Sequence, residues 1–205
     1  MLRRFLLGAL VLSVASLAWA DVPDLNNSTA TIDPTAANAS IFVLPNGAGT
    51  GFDEAFGAGG AEVDATITLM LVDTQGDPIF GYPFEDLWLE TSGFSLAYCE
   101  GGSAADGSTD INGEATWSNP LAAGGNTLGE TTQVYVAGAP LAGAGVPLTF
   151  NSADMNGDLL VNLSDIASFT PMLNSYSYSG DFNNDGVINL SDIARFTQGY
   201  GTGCN

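Results

Sequence analysis

A nine-residue segment, Asn162-Leu-Ser-Asp-Ile-Ala-Ser-Phe-Thr170, returns 27 residues later as Asn189-Leu-Ser-Asp-Ile-Ala-Arg-Phe-Thr197, changed only at Ser168 against Arg195. The C-terminal part of the chain therefore has to build one local structure twice. An acidic loop precedes each copy in the same phase: Asp154-Met-Asn156-Gly-Asp158-Leu-Leu160-Val-Asn162-Leu-Ser-Asp165, then Asp181-Phe-Asn183-Asn-Asp185-Gly-Val187-Ile-Asn189-Leu-Ser-Asp192. Oxygen donors at positions 1, 3, 5, 9 and 12 of such a loop, with the carbonyl of position 7, suit Ca²⁺, which takes roughly six to eight oxygens. The candidate ligands are Asp154, Asn156, Asp158, Leu160, Asn162 and Asp165 in the first loop, and Asp181, Asn183, Asp185, Val187, Asn189 and Asp192 in the second. The carbonyl is the donor at Leu160 and Val187. Three Asp per loop set a formal −3 against the +2 of the ion.

Position 6 of the first loop is Leu159, whereas the second has Gly186. That position turns through positive φ, which costs a residue with a Cβ about 1–2 kcal/mol. Two calcium sites are expected, the second tighter. Beyond each loop, Leu163, Ile166 and Phe169, then Leu190, Ile193 and Phe196, recur every three residues and read as one helical face. The two faces are expected to pack on each other, so that metal sites and core form together. Val161 and Ile188, at position 8, are expected to join the loops through a short β-bridge. Pro171 is expected to end the first helix early.

The pair resembles a type I dockerin module, two loop–helix calcium motifs spanning Ser152 to about Cys204. Each loop lacks the preceding helix of an EF-hand and ends in Asp where an EF-hand has Glu. The resemblance implies a cohesin-like or other extracellular protein domain as partner. Loop positions 10 and 11 would meet it: Leu163 and Ser164, Leu190 and Ser191. Near-identity of the copies implies binding in two orientations. Leu159 departs from the family's Gly, and the basic helix tails common in cellulosomal dockerins are missing here.

Charge narrows the rest. The chain has 23 acidic side chains, three basic ones and no His. Arg3 and Arg4 precede an apolar run from Phe5 to Leu17 that closes with Ala18-Trp19-Ala20, so residues 1–20 read as a secretory signal peptide cleaved after Ala20. The run is short for a bilayer span, so the protein is expected to be secreted or surface-associated and not membrane-spanning. Cleavage leaves Arg195 as the one base against 23 acids, a charge of −22. One base cannot neutralise a phosphate backbone, which argues against nucleic acid. Without His or Lys there is no Ser–His or Cys–His dyad, Schiff-base lysine or His-ligated zinc. Paired carboxylates remain the one catalytic route, and Glu85, Asp86 and Glu90 are weak candidates for it. No enzymatic activity is expected.

Between the ends, residues 21–39 read as an arm or leader strand, and 40–151 follow the grammar of short strands. Val63, Ala65, Ile67, Leu69 and Leu71 alternate with polar residues along Glu62–Asp73, the period of a half-buried strand. Ile41–Leu44, Leu87–Thr91, Phe94–Tyr98, Glu114–Trp117, Thr131–Ala137 and Val146–Phe150 make about seven in all. An antiparallel sandwich follows, because each strand has one face to bury. The stretch Val72-Asp73-Thr-Gln-Gly76-Asp77-Pro78-Ile-Phe-Gly81, with Thr109-Asp110-Ile-Asn-Gly113-Glu-Ala115, resembles bacterial Ig-like domains of invasin and intimin type. That implies a spacer or adhesive module. Cys99 and Cys204 are the two cysteines; their pairing stays open.

The expected whole is mainly β: an Ig-like antiparallel sandwich over 40–151, then a small all-α dockerin-like module over 152–205 with two calcium loops. Its expected function is secreted, non-catalytic assembly or surface attachment. The alternative is a carbohydrate-binding or polysaccharide-degrading component carried by its dockerin, with polysaccharide as ligand. Trp88, Trp117 and Tyr82 could stack on a sugar, but Trp at such strand positions is expected in the sandwich core. A third reading makes the C-terminal part a calcium-locked cap on the sandwich.

Overall fold

The computed structural model describes residues 22–204, so the leader expected over 1–20 and its cleavage point lie outside the described residues. The described chain is mainly β. In order it forms β1 (Thr29–Thr31), β2 (Ser40–Val43), β3 (Ala55–Phe56), β4 (Glu62–Val63), β5 (Ile67–Met70) and β6 (Leu87–Thr91). It continues with β7 (Leu96–Tyr98), β8 (Glu114–Trp117), β9 (Ala123–Gly125), β10 (Thr132–Val136), β11 (Ala139–Pro140) and β12 (Thr149–Ser152). Two short helices follow, α1 (Leu163–Phe169) and α2 (Leu190–Gly199).

More strands form than the expected seven, partly because the long alternating stretch is broken. Asp64 accepts a hydrogen bond from the Thr66 N–H at 2.9 Å, an Asx turn that separates β4 from β5. Alternation survives the break, and Ala65, Ile67, Leu69 and Leu71 are all fully buried. The N-terminal arm contributes a strand, since β1 pairs antiparallel with β5, Ala30 opposite Leu69.

The strands group as β1-β5-β8, β11-β10-β6, β12-β2-β3-β4 and β7-β9. One pairing departs from the antiparallel expectation: β12 runs parallel to β2, Thr149 opposite Ser40 and Ser152 opposite Val43. Parallel neighbours need a long crossover, and the strands between β2 and β12 supply it.

Strand β2 is buried along its whole length and serves two cores. Ile41 and Val43 join the larger core of the β body with Phe52, Leu69, Leu89, Trp117 and Phe150. Phe42, with Leu44 just beyond, joins a second core with Ala153, Val161, Phe169, Phe182 and Phe196. Alternate side chains of a strand point to opposite faces, so one strand can hold both layers.

The segment from 152 onward, expected as a separate module, is thus packed on the β body through this second core. Gly199 of α2 lies so close to β2 that a Cβ there would come within 2.5 Å of the Leu44 side chain. Arg195 lies over the Phe56 ring at 4.3 Å, and Ser40 Oγ and the Tyr178 hydroxyl share a hydrogen bond of 2.8 Å. Cys99 and Cys204 form a disulfide across 105 residues. No helix among the described residues is long and apolar enough to cross a membrane.

Candidate metal centre

Each loop ends on a helix cap. Asn162 Oδ1 accepts from the Ser164 N–H at 2.8 Å, and Asp165 Oδ2 accepts from the Asn162 N–H at 2.9 Å. The second copy repeats this with Asn189, Ser191 and Asp192 at 2.8 and 2.9 Å. Positions 9 and 12 therefore form a reciprocal capping box. Both oxygens read from sequence as ligands serve as caps, but unequally: Asn162 Oδ1 also accepts from the Ser164 hydroxyl at 3.0 Å, whereas Asn189 Oδ1 accepts only the Ser191 N–H. Pro171 stops α1 at Phe169, while α2 runs on to Gly199.

The remaining donors differ between copies. In the first loop, Asp154 Oδ1 accepts from the N–H groups of Gly157 and Asp158 at 3.0 and 3.2 Å, and Oδ2 from Leu159 at 2.8 Å. Asp165 Oδ1 accepts from Met155 and Asn156 at 2.9 and 3.3 Å. Asn156 Oδ1 takes the Asp158 N–H at 3.1 Å, and the Leu160 carbonyl takes Asn162 Nδ2 at 3.1 Å. This loop has closed on its own carboxylates.

The second loop is less committed. Asp181 Oδ1 accepts from the Asp185 N–H at 3.1 Å, and Oδ2 from Gly186 at 2.9 Å and the Tyr176 hydroxyl at 3.0 Å. Asp192 Oδ1 accepts from Phe182 at 2.8 Å. Asn183 Oδ1 is buried and has no hydrogen-bond partner. Position 6 turns through φ +66° at Leu159 and +86° at Gly186, as the loop pattern requires.

Electrostatics favour a cation here. Asp154, Asp165, Asp181 and Asp192 are fully buried, and Arg195 is the sole basic residue in the described range. Burial pushes the Asp154 and Asp192 carboxyls up, against the pull of N–H bonds from Leu159 and Asn189 respectively. Burying carboxylates is costly unless a positive partner or a metal compensates. Calcium sits about 2.3–2.6 Å from its oxygens, closer than a water hydrogen bond, so it can reach an oxygen that water cannot. The unpartnered Asn183 oxygen fits that description. Among the described residues, no three Asp, Glu, His or Cys side chains are arranged to hold a metal as they stand. The donors are gathered in sequence order around each loop, with their carboxylates turned onto N–H groups.

Two expectations need correction. The helical faces do not pack as threes: Phe169 and Phe196 stack at 5.1 Å, whereas Leu163 and Leu190 are 69% and 80% exposed. Each step of three residues falls about 60° short of a full turn on a helix with 3.6 residues per turn, so the first member has rotated out of the face held by the third. Nor does Val161 bridge to Ile188. Its N–H donates to the Thr202 carbonyl, and its carbonyl accepts from Gly201, both at 2.9 Å. The chain end, anchored by Cys204, takes that edge. Of the aromatic residues expected in the core, Trp117 is buried there, with its indole N–H donating to the Ser103 carbonyl at 3.0 Å, and Tyr82 packs against that core. Trp88 is half-buried and stacks on Tyr135 at 5.7 Å.

The sandwich also shapes the loops. A Cβ on Gly124 of β9 would collide with the Asp154 carboxylate, and Gly125 N–H donates to the Asp154 carbonyl at 2.7 Å. Asn184 Nδ2 donates to the Phe56 carbonyl at 3.0 Å, and Asn151 Nδ2 to the Asp181 carbonyl at 2.6 Å. These contacts left no local signal in the sequence, because each joins segments distant along the chain. The four partner-binding candidates lie at the starts of α1 and α2, with Leu163, Ser164 and Leu190 exposed and Ser191 half-buried.

No family model matches the chain, and no curated protein matches it. Among solved structures, the Lin-41 filamin domain is similar over 64% of this chain and 97% of that one, at 18% identity and a TM-score of 0.31. A likeness at that level carries no statement about family or function.

Proposed function

We propose that the chain is an exported, non-catalytic calcium-binding protein of assembly or surface attachment, in which two Asp/Asn loops bind Ca²⁺ and lock a cap onto an Ig-like sandwich. The observation that carries this reading is the pair of in-register loops with four fully buried carboxylates and an unpartnered Asn183 oxygen. Asp154, Asn156, Asp158, the Leu160 carbonyl and Asp165 would hold one ion, with Asn162 Oδ1 occupied by its cap; Asp181, Asn183, Asp185, the Val187 carbonyl, Asn189 and Asp192 would hold the other. Bound Ca²⁺ supplies the positive charge that those buried carboxylates lack. Loop 2, with its uncommitted Asn183 oxygen, is the tighter site.

The chain's own residues do the rest. Asn162 and Asn189 cap the helices, Phe182 wedges between Phe42 and Phe169 at 5.1 and 5.6 Å, and Asn151 and Asn184 bind loop 2 to the sandwich. Leu163 with Ser164, and Leu190 with Ser191, are the two equivalent faces offered to a cohesin-like or other extracellular protein domain, in keeping with the two exposed leucines. For the polysaccharide alternative, the stacked Trp88–Tyr135 pair is the available contact.

Calorimetric titration of the full mature chain with Ca²⁺ tests the reading. Two sites of unequal affinity are expected, with Asp192→Ala abolishing the tighter. Absence of any calcium heat, together with melting that ignores EDTA, would overturn it. Glycan-array binding without a protein partner would favour the alternative.

A further inference from the structure

The geometry points to Tyr176, in the segment between the repeats, as the positioning residue of the second calcium loop, an inference that rests on the calcium reading above. A carboxylate oxygen offers about two acceptor positions. On Asp181 Oδ2 both are taken, by the Gly186 N–H at 2.9 Å and the Tyr176 hydroxyl at 3.0 Å. Oδ1 accepts only the Asp185 N–H, at 3.1 Å, and keeps one position open. Tyr176 thereby decides which oxygen of the first loop residue is offered to the ion.

The first loop has no such donor. Counting back one repeat from Tyr176 reaches Thr149, which belongs to β12 and donates its hydroxyl to the Ala39 carbonyl at 3.1 Å. Asp154 is arranged the other way round: its Oδ1 is filled by two loop N–H groups, and the open position lies on Oδ2. The duplicated loops therefore present opposite carboxylate oxygens for two reasons: the position-4 N–H that fills Oδ1 in the first loop goes to the Asp181 backbone carbonyl in the second, from Asn184 at 3.4 Å, and Tyr176 fills Oδ2 from outside the loop. Outer hydrogen bonds that orient a metal ligand typically contribute about 10–100-fold in affinity. Tyr176 is largely exposed and stands outside both hydrophobic cores, so its ring is not needed to fill them.

Tyr176→Phe in the full chain tests this, because it removes the hydroxyl and keeps the ring. Calcium titration of parent and variant is expected to show about a tenfold loss at the tighter site, with the weaker site unchanged. Terbium, bound in place of calcium, adds a spectroscopic readout, since excitation of a tyrosine beside the ion sensitises its emission. That emission is expected to fall in the variant even at saturating terbium. Equal calcium affinities in parent and variant would overturn the role of Tyr176 and leave the calcium reading standing. Equal weakening of both sites with a lower melting temperature in EDTA would mark a packing role and also overturn it. A parent chain that binds no calcium would remove both.

Discussion

The two loop–helix copies share eight of the nine repeat residues, yet different parts of the molecule hold them. Copy one is held by residues 201–204, where Gly201 and Thr202 bond to Val161 and Cys204 ties the segment to Cys99, and by β9, whose Gly125 N–H donates to the Asp154 carbonyl. Copy two is held by β2 and β3, through Asn184 on Phe56, Arg195 over the same ring, and Tyr178 on Ser40. Repetition in sequence reproduced the caps and the turns. It did not reproduce the state of the donors, because those answer to neighbours that are not repeated.

The largest expected effect comes from cutting the support of copy one. Replacing both Cys99 and Cys204 by Ser removes a cross-link over 105 residues, and the chain-entropy estimate for a loop of that size is about 4–5 kcal/mol. Thermal unfolding should drop accordingly, and amide exchange should quicken at Val161 and Gly201 more than at Asn184. Uniform acceleration in both copies would break the contrast drawn here.

Chelation comes next. On the calcium reading proposed above, each site would add about 2.7 kcal/mol at calcium about 100-fold above Kd, and a chain of this size shifts by roughly 2–4 °C per kcal/mol. EDTA should therefore lower the melting temperature of the full chain by several degrees per site. Because Phe182 and Phe196 share a core with Phe42, the sandwich and its cap should melt together. Two separate transitions would show that the cap is independent after all.

A smaller effect distinguishes the turns. Gly186→Leu should cost about 1–2 kcal/mol in denaturant unfolding, because the loop holds positive φ there. Leu159→Gly should stabilise by less, since glycine also frees the unfolded chain. If the two exchanges cost the same, backbone strain is not what separates the loops. The smallest change makes the repeats identical. Arg195→Ser removes a cation–π contact worth about 0.5–1 kcal/mol, and a loss well beyond that would mean Arg195 also pairs electrostatically with Asp192 or Glu62, the acids that favour its charge.

Much of this was readable beforehand. Alternation marked the buried residues of β5, and Leu87–Thr91 and Glu114–Trp117 match β6 and β8 to the residue. Leu159 was rightly singled out as a non-glycine at positive φ. The capping box was also legible, as Asn162-Leu-Ser-Asp165, but the same residues carried the metal pattern and were read for that alone. The unbroken apolar run Ile41-Phe-Val-Leu44 was the available sign of a strand buried on both faces. The threefold spacing of Leu163, Ile166 and Phe169 misled, because three residues are not a helical turn.

The sequence alone determined two acidic loops in one phase, the helix that follows each, the stop at Pro171 and an alternating β body. All of these are local, carried by residues within a dozen positions of each other. Only the tertiary structure decided that Cys204 meets Cys99, that Val161 pairs with the chain end, that β2 serves two cores, and that Tyr176 donates to Asp181. The first three depend on which distant segments share a face, and Tyr176 on how its segment folds back onto the loop. A pattern of short period records turns and caps, but carries no term for those contacts. The number of acids was written in the repeat; which of their oxygens stay open was settled by the residues packed around them.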